Sequence, residues 1–253
     1  MVETLARHYD RIRVIAYVRP YRSLMASGFQ QRLQGGLRQF LPRVPAYRRR
    51  LEPWREAVGA DNMTLRKFDR QCLRDGDIVA DFAEWLGVSA EGLPRRVDNT
   101  SLSAEGAALL FLFNRAPGLP KAPARRTAMR KALARALAGV GPHRLAFPEA
   151  LMTREAAAMA DDIRWVEEVA GFSVSDPLRP DPRAIEVGDE AAFSALGLGT
   201  VRRLRAALAG KDDIAPPETA RHILRRLRRV GAIGPAAGRG KGRGRPARAP
   251  EPG

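Results

Sequence analysis

The run Arg11–Val18, RIRVIAYV, ending on Arg19-Pro20, restricts the fold more than any other segment of the chain. A short β-branched and apolar stretch closed by charge and proline reads as a buried strand of a parallel sheet. Pro20 keeps Arg19 extended, and its fixed φ suits the first turn of a helix, so the expected order is strand, tight turn, helix. The helix is predicted over Tyr21–Leu33, with Leu24, Met25, Phe29 and Leu33 on one stripe and Gly35-Gly36 as its stop.

A second helix is predicted over Tyr47–Val58, and Asp61-Asn62 turn into Met63–Phe68, MTLRKF, which alternates like a strand. Strand, helices and strand make the crossover pattern of an α/β fold. Beyond it the chain reads as helical. Asp77 and Ser103 are expected N-caps, of a helix carrying Ile78, Phe82 and Leu86 and of the segment Ala104–Asn114. Further amphipathic helices are predicted over Arg125–Ala138, Arg154–Val169, Thr200–Ala209 and Pro217–Val230. Two strands are too few for a self-sufficient parallel sheet. The expected fold is therefore α/β, a partial parallel sheet flanked by helices and incomplete on its N-terminal side, with a helix-rich C-terminal half.

A hydrophobic fraction of 45% over 253 residues supports a real core. Residues 1–230 are expected to form one α/β domain. Residues 231–253, built from Gly, Pro, Ala and Arg, bury too little apolar area to offset ordering entropy and are expected to be a disordered basic tail. No apolar run approaches the roughly 20 residues needed to cross a bilayer, and the first residues do not read as a signal peptide, so a cytoplasmic protein is expected. From Arg221 onward ten basic residues face one acid, a net +9 of the chain's +16, which points to an anionic partner.

A single cysteine, Cys72, excludes an intramolecular disulfide and a thiolate-rich metal site, and its neighbours suggest a packed or half-buried thiol. Three scattered histidines give a zinc site little support, and no metal is expected. His8 reads as exposed, His143 beside Gly141-Pro142 as a loop residue, and His222 as part of a basic helix. Of the acids Asp69, Asp75, Asp77 and Asp81, turn and cap roles explain Asp75 and Asp77. Trp54, Trp85 and Trp165 read as core or half-buried helix residues.

The strand delivers Arg19 to its C-terminal end, the edge at which open α/β sheets bind ligands, and Ser27 follows eight residues later in the helix. A phosphate at the helix N-terminus would meet Arg19, backbone amides and the Ser27 hydroxyl together. The segment VIAYVRPYRSLMASGFQQRLQGG resembles the 3′-phosphate-binding motif of PAPS-dependent sulfotransferases, in which an arginine closing a strand and a serine eight residues on grip the nucleotide. The stretches LRKFDRQCLRDGDIVADFAEWLGV, DNTSLSAEGAALLFLFNR and DDIRWVEEVAGF also resemble bacterial sulfotransferase-like proteins, so the resemblance spans roughly Arg11–Asp176.

The resemblance implies binding of PAPS or PAP through Arg19 and Ser27, and transfer of a sulfuryl group to a hydroxyl or amine acceptor, including one on a carbohydrate. The chain departs from the family in one respect. No counterpart of the phosphate-cradling loop similar to PKxGTTS precedes Arg11, and Pro120-Lys121 continues without glycine in another part of the chain. The expectation is thus an enzyme incomplete at its N-terminus, with no catalytic residue assigned. The alternative is a non-enzymatic basic protein that binds nucleic acid or another polyanion through its Arg-rich C-terminus.

Overall fold

A computed structural model describes residues 2–93, 101–175 and 180–234. The basic tail expected over 231–253 lies outside the described residues from 235 onward. After a short helix α1 (Val2–Leu5), strand β1 (Val14–Val18) leads through Arg19-Pro20 into α2 (Tyr21–Gly35). Helix α3 (Arg48–Val58) and strand β2 (Met63–Lys67) follow, and β1 and β2 pair in parallel from Val14↔Met63 to Val18↔Lys67. The predicted strand–helix–strand crossover is therefore present. Only Val18 of β1 is buried, the rest being half-buried, so the strand is less enclosed than its apolar run suggests.

Helix α4 (Ile78–Leu86) starts at Asp77, whose side chain accepts from the amides of Val79 and Ala80. Its expected apolar stripe turns outward, with Ile78, Phe82 and Leu86 exposed, while Ala80, Asp81 and Ala83 are buried. The reason is polar: Asp81 is drawn against the β1–β2 pair, where it accepts from Tyr17 Oη at 2.6 Å and Arg66 Nη2 at 2.7 Å. Arg13 lies 4.5 Å over the Trp85 ring of the same helix.

Helix α5 (Ala104–Arg115), capped by Ser103 as expected, is the centre of the molecule. Nearly all of its residues are buried, which is what a helix apolar on every side requires. It packs against α2, α6 (Pro123–Leu137) and α9 (Glu190–Ala207). Close approach to α9 depends on Gly197, where a Cβ would stand 2.8 Å from Leu112 Cδ1 and 3.1 Å from the Ala108 carbonyl oxygen. Phe29, Phe40, Phe111, Phe147 and Phe193 interlock in edge-on and tilted pairs around this centre. Helix α10 (Pro217–Arg229) closes the core with Ala220, Ile223, Leu224 and Leu227.

Other expectations need correction too. A second parallel pair, β3 (Arg144–Ala146) with β4 (Ala184–Glu186), is present and was not foreseen. The helix predicted over Arg154–Val169 is two helices, α7 (Glu149–Ala157) and α8 (Ala160–Ala170). They separate because α8 is held elsewhere: Asp162 accepts from the amides of Tyr47 and Arg48 at 2.7 and 2.9 Å, serving the otherwise uncapped start of α3. Cys72, expected to be packed or half-buried, is exposed.

Candidate functional site

Arg19 leaves β1 at the edge from which α2 starts, and two contacts fix that corner. Tyr47 Oη donates to the Arg19 carbonyl oxygen at 2.7 Å, and the Tyr21 amide donates to the Val174 carbonyl oxygen at 3.0 Å. The 173–175 loop is organised by Glu167, which accepts from the Val174 amide at 2.8 Å and from the Ser173 and Ser175 hydroxyls at 2.9 Å each. Burial alone would raise the Glu167 carboxyl, but these hydrogen bonds outweigh it and hold the group below its ordinary value. The acidic segment DDIRWVEEV is thus scaffold for α2 and α3. One first-turn amide of α2, that of Tyr21, faces the protein and is not among the backbone donors open to a ligand.

Arg19 and Ser27 both line one cleft of about 1160 Å³. Arg19 is half-buried with its guanidinium 4.5 Å over the Phe68 ring, and among the described residues no carboxylate pairs with it. Burial pulls its pKa below the ordinary arginine value, the sign of a cation short of water. Ser27 Oγ donates back to the Leu24 carbonyl oxygen at 3.2 Å. Ser23, which sequence reasoning passed over, lines the same cleft one turn earlier and donates to Pro20 O at 3.0 Å. The other lining cations have partners: Arg22 is bound to Glu149 at 2.5 Å and to the Ser175 carbonyl, and Arg144 stands 3.5 Å from Asp181.

Facing α2 across the cleft, the loop before β3 contributes His143, with a side chain 36% exposed. Its Nδ1 lies 2.5 Å from Oε1 of Glu105, a residue of the first turn of α5 whose side chain is 0% exposed. A carboxylate only accepts, so against an ionised Glu105 the Nδ1 atom is the donor of this pair and Nε2 is the ring nitrogen left toward the cleft. No described residue bonds to Nε2. Arg203 of α9 reaches the same Oε1 at 3.2 Å, while Oε2 is buried without a partner among the described residues. The loop is pinned by the Ala104 amide donating to His143 O at 2.9 Å and by Ser103 Oγ donating to Val140 O. Reading His143 as a plain loop residue missed this arrangement. The available signal was Glu105 itself, a charge in a helix otherwise apolar enough to be central.

The remaining candidates are not brought to the cleft. His8 is exposed, and His222 accepts from Arg226 Nε at 2.6 Å on α10. Asp69 receives the Gln71 amide and Asp77 caps α4, in line with local roles. Among the described residues no three His, Cys, Asp or Glu side chains converge as a metal site, and no helix is long and apolar enough to cross a membrane. Comparison with protein-family models, with curated proteins and with solved structures finds no match.

Proposed function

We propose that the chain is a sulfotransferase-like protein that takes the 3′-phosphate of PAP or PAPS on Arg19 and Ser27. The observation that supports this reading is that the two residues line one cleft, with Arg19 half-desolvated and lacking a carboxylate. A buried cation without a counter-charge gains from a bound anion. Ser27 and Ser23 hold weak local bonds to helix carbonyls, and turning either hydroxyl toward a phosphate exchanges a neutral bond for a charge-assisted one.

In the transfer reading, His143 receives the proton of a hydroxyl or amine acceptor, a carbohydrate hydroxyl included. The acceptor atom attacks sulfur, the sulfur–oxygen bond to the nucleotide phosphate breaks with its electrons on that oxygen, and the imidazolium passes its proton to water. Glu105 and Arg203 position the ring. Among the described residues no lysine lines the cleft.

Calorimetric titration of PAP into the full chain tests the reading. A saturable site is expected that weakens roughly tenfold or more in Arg19→Ala, as loss of a charged hydrogen bond of about 1.5–3 kcal/mol requires. Affinity that Arg19→Ala leaves unchanged sinks the reading.

A second reading has its own support. Arg221, Arg225, Arg228 and Arg229 are exposed on α10, and no carboxylate among the described residues pairs with them. A row of free guanidiniums suits the phosphates of nucleic acid. Binding to a DNA duplex of arbitrary sequence is expected to weaken with salt, with a log–log slope about 2 units shallower in Arg225→Ala/Arg228→Ala. An unchanged slope removes α10 from that interface.

A further inference from the structure

A second cavity, of about 460 Å³, lies at the C-terminal end of α2, about 20 Å along this 15-residue helix from the end next to Arg19 and roughly 12 Å from Ser27 in its middle. Its charged lining consists of Arg38, from the loop after α2, with Arg126 and Arg130 from α6. No acid lines it, and among the described residues no carboxylate pairs with any of the three.

Fold stability does not account for this cluster. Two of the carbonyls ending α2 already have donors: Leu37 N reaches Arg32 O, Gly36 N reaches Leu33 O, and the buried Asn114 amide reaches Leu33 O and, beyond the helix, Leu37 O at 2.8 and 3.1 Å. Arg130 adds only a long contact of 3.4 Å to Gln34 O, and the side chains of Arg38 and Arg126 make no bond among the described residues. Arg126 and Arg130 stand four residues apart on one helix face, where like charges repel. Burial and the Arg126 charge both lower the Arg130 pKa. The start of α6 compounds the excess. It has no side-chain cap and no acid in its first turn, where the helix dipole favours a negative group. Thr127, at the start of the second turn of α6, also lines the cavity, and Leu119 and Pro117 give it an apolar side.

We propose that this cavity is a binding site for a small organic phosphate monoester, its dianionic head on Arg126, Arg130 and Arg38 and its body against Leu119 and Pro117. A phosphate monoester near neutral pH carries close to two charges and three acceptor oxygens, which matches guanidiniums that lack counter-ions. A sulfate ester shares the geometry with half the charge. The site is separate from the PAP reading of the Arg19 cleft and does not rest on it.

The test is calorimetric titration of the full chain with phenyl phosphate at neutral pH and 150 mM NaCl, with phenyl sulfate and phenol as comparison arms. One saturable phenyl phosphate site is expected, with phenyl sulfate at least fivefold weaker and phenol not binding. Arg126→Ala/Arg130→Ala should weaken phenyl phosphate at least tenfold, and alanine keeps α6 helical. Arg38→Ala, outside any helix, should weaken it threefold or more and decides the matter if the double variant fails to fold. Arg19→Ala should leave it within twofold. Absence of a saturable site overturns the proposal, as does an affinity unchanged in the α6 double variant or in Arg38→Ala. Equal loss in Arg19→Ala would assign the binding to the cleft and overturn it as well. Phenol binding as tightly as phenyl phosphate would show apolar capture and also overturn it.

Discussion

Replacing Asp81 with alanine is expected to lower the free energy of unfolding by about 3–5 kcal/mol, read from the urea midpoint at constant m-value. The Asp81 side chain is 0% exposed and receives Tyr17 Oη at 2.6 Å, Arg66 Nη2 at 2.7 Å and the Arg74 amide at 3.0 Å. These partners come from β1, β2 and the turn before α4, so one carboxylate ties three elements that otherwise share few buried apolar contacts. Removing it strands three part-buried partners, an amide, a phenol and a cation, and the penalty of leaving them unpaired exceeds the worth of any single bond. Tyr17 shows the environment from the other side: burial first, then the bond and charge of Asp81, push its pKa up to about 12. A loss below about 1 kcal/mol would mean that water reaches the three partners and the node is not closed.

The same group carries a pH signature. Burial would raise the Asp81 carboxyl, but the bonds from Tyr17 and Arg74 and the charge of Arg66 prevail and hold it below its ordinary value. A depressed folded-state pKa gives stability that is complete above the unfolded value, about 3.9, and is lost as pH falls through the folded one. The Asp81→Asn variant therefore loses stability at neutral pH while its acid limb below about pH 4 becomes shallower.

Local signals carried much of the α/β reading. The run VIAYV, the alternation in MTLRKF, and the caps Asp77 and Ser103 each act within a few residues, and each is found where the sequence places it. The pair β3 and β4 was illegible because RLA and AIE are three residues each, too short for alternation to stand out, and their pairing spans about forty residues. Helix α9 begins ten residues before its expected start. Gly197 and Gly199 look like a break, whereas Gly197 is where α5 and α9 touch, and Asp189 caps the true start by accepting from the Ala192 amide. Reading REAAAMADDIRW as one helix was reasonable from propensity, and only the distant pull of α3 on Asp162 divides it. The cleft divides in the same way. Arg19 and Ser27 lie eight residues apart on one strand–helix unit and could be named from it, while Glu105 and His143 are brought together by a core that no local pattern describes.

That core makes Gly141→Ala the most informative change near the cleft. Gly141 has φ of +74°, and a Cβ there would stand 2.3 Å from Glu105 Cδ and 2.6 Å from both carboxylate oxygens. Two costs combine: roughly 1–2 kcal/mol for a left-handed conformation that alanine resists, and roughly 1–3 kcal/mol for overpacking against a buried group. The loop has little room to retreat, because the Gly141 amide donates to Ile214 O at 3.2 Å and the His143 carbonyl accepts from the Ala104 amide at 2.9 Å. The expected loss is therefore about 2–5 kcal/mol, with Glu105 driven off His143 and Arg203. A double-mutant cycle separates the two costs. Glu105→Ala removes the atoms that the new methyl would strike but leaves the left-handed strain, so Gly141→Ala should cost about 1 kcal/mol or more less in that background. Strict additivity would show that the carboxylate moves aside freely, and a carboxylate free to move could not hold the imidazole toward the cleft.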